Sequence, residues 1–173
     1  MAWPEAGWLA GPFLACCLLL VRSGSGKWVE PSVAGRAADA IGLPGSRAAV
    51  RTLAAVEVAA GIAGVVVGGA AAAAVAVVFA ALAGVAWRLT RHDVAVPCGC
   101  LGATDTPVSF THIVVNLAAA ACALGAIGLG APWRRIPTTP LLGLSLVISS
   151  VTIAYLVEVL MEATGSRKKG IVR

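Results

Sequence analysis

The chain has 173 residues, 59% of them hydrophobic and 12% charged, with a mean hydropathy of +0.91. Soluble domains carry about 25% charged residues, so this composition excludes an ordinary soluble domain and makes a bilayer the expected solvent. The net charge of +5 does not call for nucleic acid, because the basic residues sit in connectors and at the tail, where they meet lipid headgroups.

The first apolar run, residues 7–21, is short for a bilayer, which takes about 20 residues. It is expected to continue as a helix to residue 28, with Arg22 and Lys27 snorkelling toward the interface. No Lys or Arg precedes the run, so it does not read as a cleavable signal and is expected to be retained. Residues 30–51 are punctuated by Pro31, Pro44 and Gly45, with Val33, Ala37, Ala40 and Ile41 at helical spacing. That pattern predicts a short interfacial helix ending at residues 42–44.

Two further spans follow, over 52–68 and 70–89, joined by a turn at Gly68 and Gly69. Trp87 and Arg88 make an interfacial anchor, and Gly61, Gly64 and Gly68 allow close helix packing. A polar loop, residues 90–107, reads TRHDVAVPCGCLGATDTP. A fourth span, 109–129, opens on Ser109 as its cap, and a fifth, 141–161, precedes the basic tail at 167–173. The fold expected is an all-α polytopic transmembrane helix bundle, a single integral membrane domain over 1–173.

Five spans place the termini on opposite faces. Eleven Lys and Arg residues then fall on one side, against Arg134 and Arg135 on the other. By the positive-inside rule the C-terminus and the 90–107 loop are cytoplasmic.

The residues able to carry chemistry are few. Cys16, Cys17 and Cys122 lie within apolar runs, where a thiol packs as a small hydrophobe and is unreactive. Cys98 and Cys100 differ, because they flank Gly99 in the polar loop. A disulfide across one residue closes a small ring, which requires a bent backbone that Gly99 permits. Such a strained, accessible disulfide exchanges readily. The competing readings are half of a metal site, which His92, Asp93 or His112 would have to complete, and a structural role. His112 and Asn116 share a helix face at i, i+4. His112 would tune a thiolate, or both would act as interhelical hydrogen-bonders. Glu57 is an intramembrane carboxylate, expected to pair with Lys27 or Arg22 as a structural or a functional group. Glu158 and Glu162 are expected near the interface, beside residues 167–169.

The order of these features resembles the MauE family of methylamine-utilisation membrane proteins, grouped with DoxX-like four-helix membrane proteins. It runs from Ser-Gly-Ser-Gly-Lys27 through Glu57 with Gly61 and Cys98-Gly99-Cys100-Leu101-Gly102 to Asn116, within about residues 7–130. The family usually shows Cys-Gly-Cys-Phe-Gly, and Leu101 here replaces the Phe. The resemblance implies a four-helix core, with the fifth span outside it. It also implies a redox-associated protein that helps form disulfides in an exported partner, a methylamine dehydrogenase subunit in the best-known relatives. Cysteine-containing exported proteins and thioredoxin-fold proteins are the partners it implies, beside the lipid bilayer. Cys98 and Cys100 would then be the reactive pair, with His112 as tuner and Gly99, Gly102, Asn116, Glu57 and Lys27 shaping the pocket. Such a role favours a loop outside the cell, opposite to the charge count. Two other readings remain in play: a non-catalytic assembly or chaperone subunit, and a quinone-linked enzyme with Glu57 lining the quinone cavity. The sequence carries no signature of a haem or a quinone.

Overall fold

A computed structural model describes residues 9–91, 108–129 and 140–171. Its described elements are helical: α1 (Ala10–Val29), α2 (Pro31–Ala40), α3 (Arg47–Val66), α4 (Ala70–Thr90), α5 (Phe110–Gly125) and α6 (Pro140–Ile171), with a 3-10 turn at Ala126–Leu129 after α5. Among the described residues, three helices are long and apolar enough to cross a membrane: α3, α4, and α5 with its 3-10 extension. A shorter apolar stretch, Val147–Met161, lies within α6. The polytopic all-α architecture expected from hydropathy is the one observed.

The α1 helix runs without a break through Ser23-Gly24-Ser25-Gly26 to Val29, as expected. Glu30 ends it and at the same time caps α2, its carboxylate accepting from the Ser32 backbone N–H at 3.4 Å, with Pro31 in the first turn. The short α2 matches the interfacial helix read from the sequence. In contrast, α3 begins at Arg47, five residues before the expected start of the second span. The Ser46 Oγ accepts from the Ala49 N–H at 3.2 Å, and this cap sets the helix start ahead of the apolar run. Hydropathy locates the apolar part of a helix, whereas capping decides where it begins.

The turn between α3 and α4 is tight because Gly68 and Gly69 both take positive φ, at 62° and 44°. The anchor expected of Trp87 and Arg88 includes Arg91, whose guanidinium lies 4.7 Å from the Trp87 ring centre. Arg51 covers Trp28 similarly at 5.7 Å. The largest difference from expectation is α6, which continues ten residues past the expected end of the fifth span. Its 32 residues reach about 48 Å at 1.5 Å per residue. No proline follows Pro140 to interrupt it.

The helices pair chiefly as α1 on α3 and α4 on α5, with α6 laid against α1. Phe13, Cys17 and Leu20 of α1 meet Ala72, Val75, Ala76 and Phe79 of α4 and Ala119, Ala120 and Ala123 of α5 in one buried cluster. So many alanines bring backbones close, the packing mode of helices that lack a hydrophobic drive to associate.

Candidate functional site

The periodicity of α1 places Phe13, Cys17, Leu20, Gly24 and Lys27 on one buried face. Ser23 is four residues before Lys27 and points the same way. Opposite them, α3 presents Glu57, which has no solvent exposure. Lys27 Nζ donates to Glu57 Oε2 at 2.8 Å and also to Ser23 Oγ. The Ser23 hydroxyl in turn donates to Glu57 Oε2 at 3.0 Å. Both charges are out of solvent, with side chains 2% and 0% exposed.

Sequence alone left Arg22 and Lys27 as alternative partners for Glu57, and the structure selects Lys27. Five helical residues turn the side chain by about 140°, so both cannot face α3. Arg22 instead points outward to Glu158 of α6, with Nε 3.5 Å from Oε1. A pair this exposed adds little stability. The Ser23 hydroxyl was missed, although its i, i+4 spacing to Lys27 was a signal. The Glu57 carboxylate is also unevenly loaded. Oε2 takes two donors, and the buried Oε1 takes none.

Ser23 also borders a cavity of about 20 Å³ between α1, α4, α5 and α6. Asn116 lies on its other side, and Phe79, Leu82 and Met161 complete much of the wall. The Asn116 side-chain amide donates to the His112 carbonyl at 2.6 Å. His112 is buried, and its Nδ1 accepts the Ser109 backbone N–H at 3.3 Å. A backbone N–H can only donate, so Nδ1 carries no hydrogen, and a neutral ring has its hydrogen on Nε2. Ser109 Oγ lies 2.9 Å from the same nitrogen and 3.3 Å from Thr164 Oγ1 of α6. His112 therefore helps to cap α5 while facing the cluster. Ser109→Ala is expected to cost about 1 kcal/mol through the lost cap. Denaturant titration of the full chain in detergent checks it, and an unchanged midpoint would contradict the cap.

The remaining cysteines divide as expected. Cys16 and Cys17 are buried in the core, and Cys122 is half-buried against it. Cys16 Sγ approaches the Ala119 carbonyl at 4.0 Å. The reactive residues proposed from sequence, Cys98 and Cys100 with Gly99 and Gly102, lie outside the described residues, as do His92 and Asp93. The loop that carries them joins the end of α4 at Thr90 to the start of α5 at Phe110. Lys27, Glu57, His112 and Asn116 are brought to that end of the bundle, because α1 finishes there and α5 begins there.

The family model of methylamine utilisation protein MauE matches residues 6–130. The chain belongs to the MauE family. The match takes in α1 to α5, including the Lys27–Glu57 pair, the Cys-Gly-Cys loop and Asn116, and leaves α6 outside. This MauE-family chain is thus a membrane protein linked by its family to methylamine utilisation. Comparison with curated proteins and with solved structures gave no match.

Proposed function

We propose that this protein is a multi-pass plasma-membrane protein, one integral domain over 1–173, that carries out thiol–disulfide exchange through Cys98 and Cys100. It supports disulfide formation in an exported partner, of the methylamine dehydrogenase subunit type in its relatives. Disulfide-bonded Cys98 and Cys100 take two electrons from a partner dithiol. The partner's two S–H bonds are replaced by one S–S bond, and the loop ends as two thiols. A second two-electron acceptor, a thioredoxin-fold disulfide or a quinone, returns the loop to its disulfide.

One observation carries this reading. Six of the seven buried polar or charged side chains among the described residues gather at the end of the bundle where the Cys-Gly-Cys loop is attached. Membrane proteins keep such residues where function needs them, because they are costly in hydrocarbon. An assembly subunit with incidental cysteines would have no use for that placement.

Trapping tests the proposal. Cys98→Ser and Cys100→Ser, expressed singly with the exported partner, are expected to differ. The variant that keeps the attacked sulfur accumulates a mixed disulfide, seen as a reductant-sensitive band. The Cys98→Ala/Cys100→Ala protein should give neither the band nor partner maturation. If neither single variant traps a partner and the double variant matures it normally, thiol exchange at the loop is wrong. Impermeant thiol reagents applied to intact and opened cells then assign the face of the loop.

A further inference from the structure

The exposed charges of the described residues are placed as unevenly as the buried polar groups. Arg36 on α2, Arg47 and Arg51 at the start of α3, and Arg88 and Arg91 at the end of α4 are all exposed. The α2 helix packs onto the end of α4 and the start of α5, where Ala37 meets Ala86, Leu89 and Ile113. These five arginines therefore gather at the end of the bundle from which the Cys-Gly-Cys loop leaves. At the opposite end, the first turns of α1 and α6, the α3–α4 turn and the 3-10 turn after α5 carry no charged residue.

Two acidic residues lie among the arginines, and both are engaged locally. Glu30 accepts from the Ser32 N–H and hydroxyl, and Asp39 Oδ1 accepts from the Gly45 N–H at 2.9 Å. The ion pairs among the described residues are Lys27–Glu57 and Arg22–Glu158, and neither takes in an arginine of this group. Glu30 does lie in the field of Arg36 and Arg47. Arg51, Arg88 and Arg91 are the charges left uncompensated there.

Tryptophan sets the depth of these charges. Trp28 and Trp87 are 52% and 46% exposed, near the last residues of α1 and α4. Exposed Trp rings of membrane proteins settle at the headgroup level. The Arg51 guanidinium lies over the Trp28 ring at 5.7 Å, and that of Arg91 over Trp87 at 4.7 Å. A ring attracts the charge but offers no lone pair, so the N–H donors remain for another acceptor. Arg47 stands one turn before Arg51 on α3, and Arg88 one turn before Arg91 on α4. Each corner thus sets two guanidiniums beside one interfacial ring, and phosphate is the acceptor that fits such planar forks.

We propose that the corners Arg47–Arg51–Trp28 and Arg88–Arg91–Trp87 bind the headgroups of anionic phospholipids, seating the loop root in an anionic leaflet. A zwitterionic lipid offers the same phosphate but balances it with its own cation. The preference is therefore for net negative charge, which draws each arginine near the surface. The proposal concerns how the bundle sits in the bilayer and stands independently of exchange at Cys98 and Cys100.

The test is native mass spectrometry of the full chain in detergent, titrated with phosphatidylglycerol or phosphatidylcholine of matched chains. Wild-type protein is expected to bind phosphatidylglycerol more tightly. Arg51→Gln/Arg91→Gln should lose about fivefold of that affinity for each arginine removed, and each single variant about fivefold. These side chains are exposed, so thermal unfolding of the variants in plain detergent should match wild type. Arg22→Gln is the control, because it removes an exposed charge from outside the two corners. An equal loss in Arg22→Gln would show overall charge at work and overturn the site. Equal wild-type affinity for the two lipids, or undiminished phosphatidylglycerol binding in the double variant, overturns it as well. Displacement of the lipid by inorganic phosphate at matched concentration would assign the corners to a free ion and overturn the lipid assignment.

Discussion

Removing the Lys27 side chain while leaving Glu57 in place, as in Lys27→Met, is expected to destabilise the protein by about 3–5 kcal/mol, the cost of stranding one partner of a buried ion pair. The reason is the burial of both groups, 2% and 0% exposed, with Oε2 bound to Lys27 and Ser23. Once Lys27 is gone, Glu57 keeps only the Ser23 hydroxyl as a donor, and its charge is left in a low-dielectric interior. Glu57→Gln should cost less, because the amide oxygen still accepts from Ser23 and Lys27. The double variant Lys27→Met/Glu57→Gln should recover most of the stability, since neutral replacements of a buried pair are often tolerated. Denaturant titration of the three variants and the parent gives a double-mutant cycle. A loss in the double variant equal to the sum of the two single losses would show that the pair is not coupled. The same pattern is expected in proteolytic resistance of the α1–α3 half of the bundle.

The second large effect concerns the seam between α1 and α3. A Cβ at Gly61 would lie 2.7 Å from the Cys17 carbonyl oxygen and 2.8 Å from Val21 Cγ2. At Gly24 it would lie 2.6 Å from the Ala54 carbonyl oxygen and 3.2 Å from Glu57 Cβ. Backbone oxygens cannot swing aside as a flexible side chain can, so the helices themselves must separate. Gly61→Ala and Gly24→Ala are each expected to lose about 1–3 kcal/mol, the usual scale of overpacking. Gly84→Ala is the control, because nothing lies within 4 Å of its added Cβ. In a helix interior that change should stabilise by up to about 1 kcal/mol. Gly24→Ala should also impair thiol exchange more than Gly61→Ala, because the separation it forces falls beside the Lys27–Glu57 contact. Equal stability of all three variants would mean that the seam is looser than its contacts indicate.

The two predictions share an origin. The close approach permitted by Gly24 brings α1 near enough for Lys27 to reach Glu57, so the packing motif and the charged pair are one construction. The Ser-Gly-Ser-Gly-Lys segment reads by itself as weakly polar, with the helix expected to run through it. Inside the bundle it is helix, and its small residues are what allow the lysine to be buried.

The number and order of the helices were legible in the sequence, because apolar runs of bilayer length, a Gly-Gly turn and Pro-Gly punctuation are local signals. The short α2, the Ser109 start of α5 and the shared face of His112 and Asn116 were legible for the same reason. The placement of Cys16 and Cys17 in the core also followed from the apolar run around them. Helix ends were less so. The Ser46 cap starts α3 at Arg47 and α6 runs on through the basic tail, since hydropathy registers lipid contact and not hydrogen bonding. What only the tertiary structure decided was partnership. Whether Glu57 meets Lys27 or Arg22 depends on which side of α1 faces α3, and that is fixed by contacts between helices far apart in the chain. The convergence of Ser23, Glu57, Asn116 and His112 at one end arises in the same way, from the antiparallel course of α1 and α5. The bare Oε1 of Glu57 follows from it, because the donors near a buried carboxylate are chosen by three-dimensional packing and leave no mark on residue spacing.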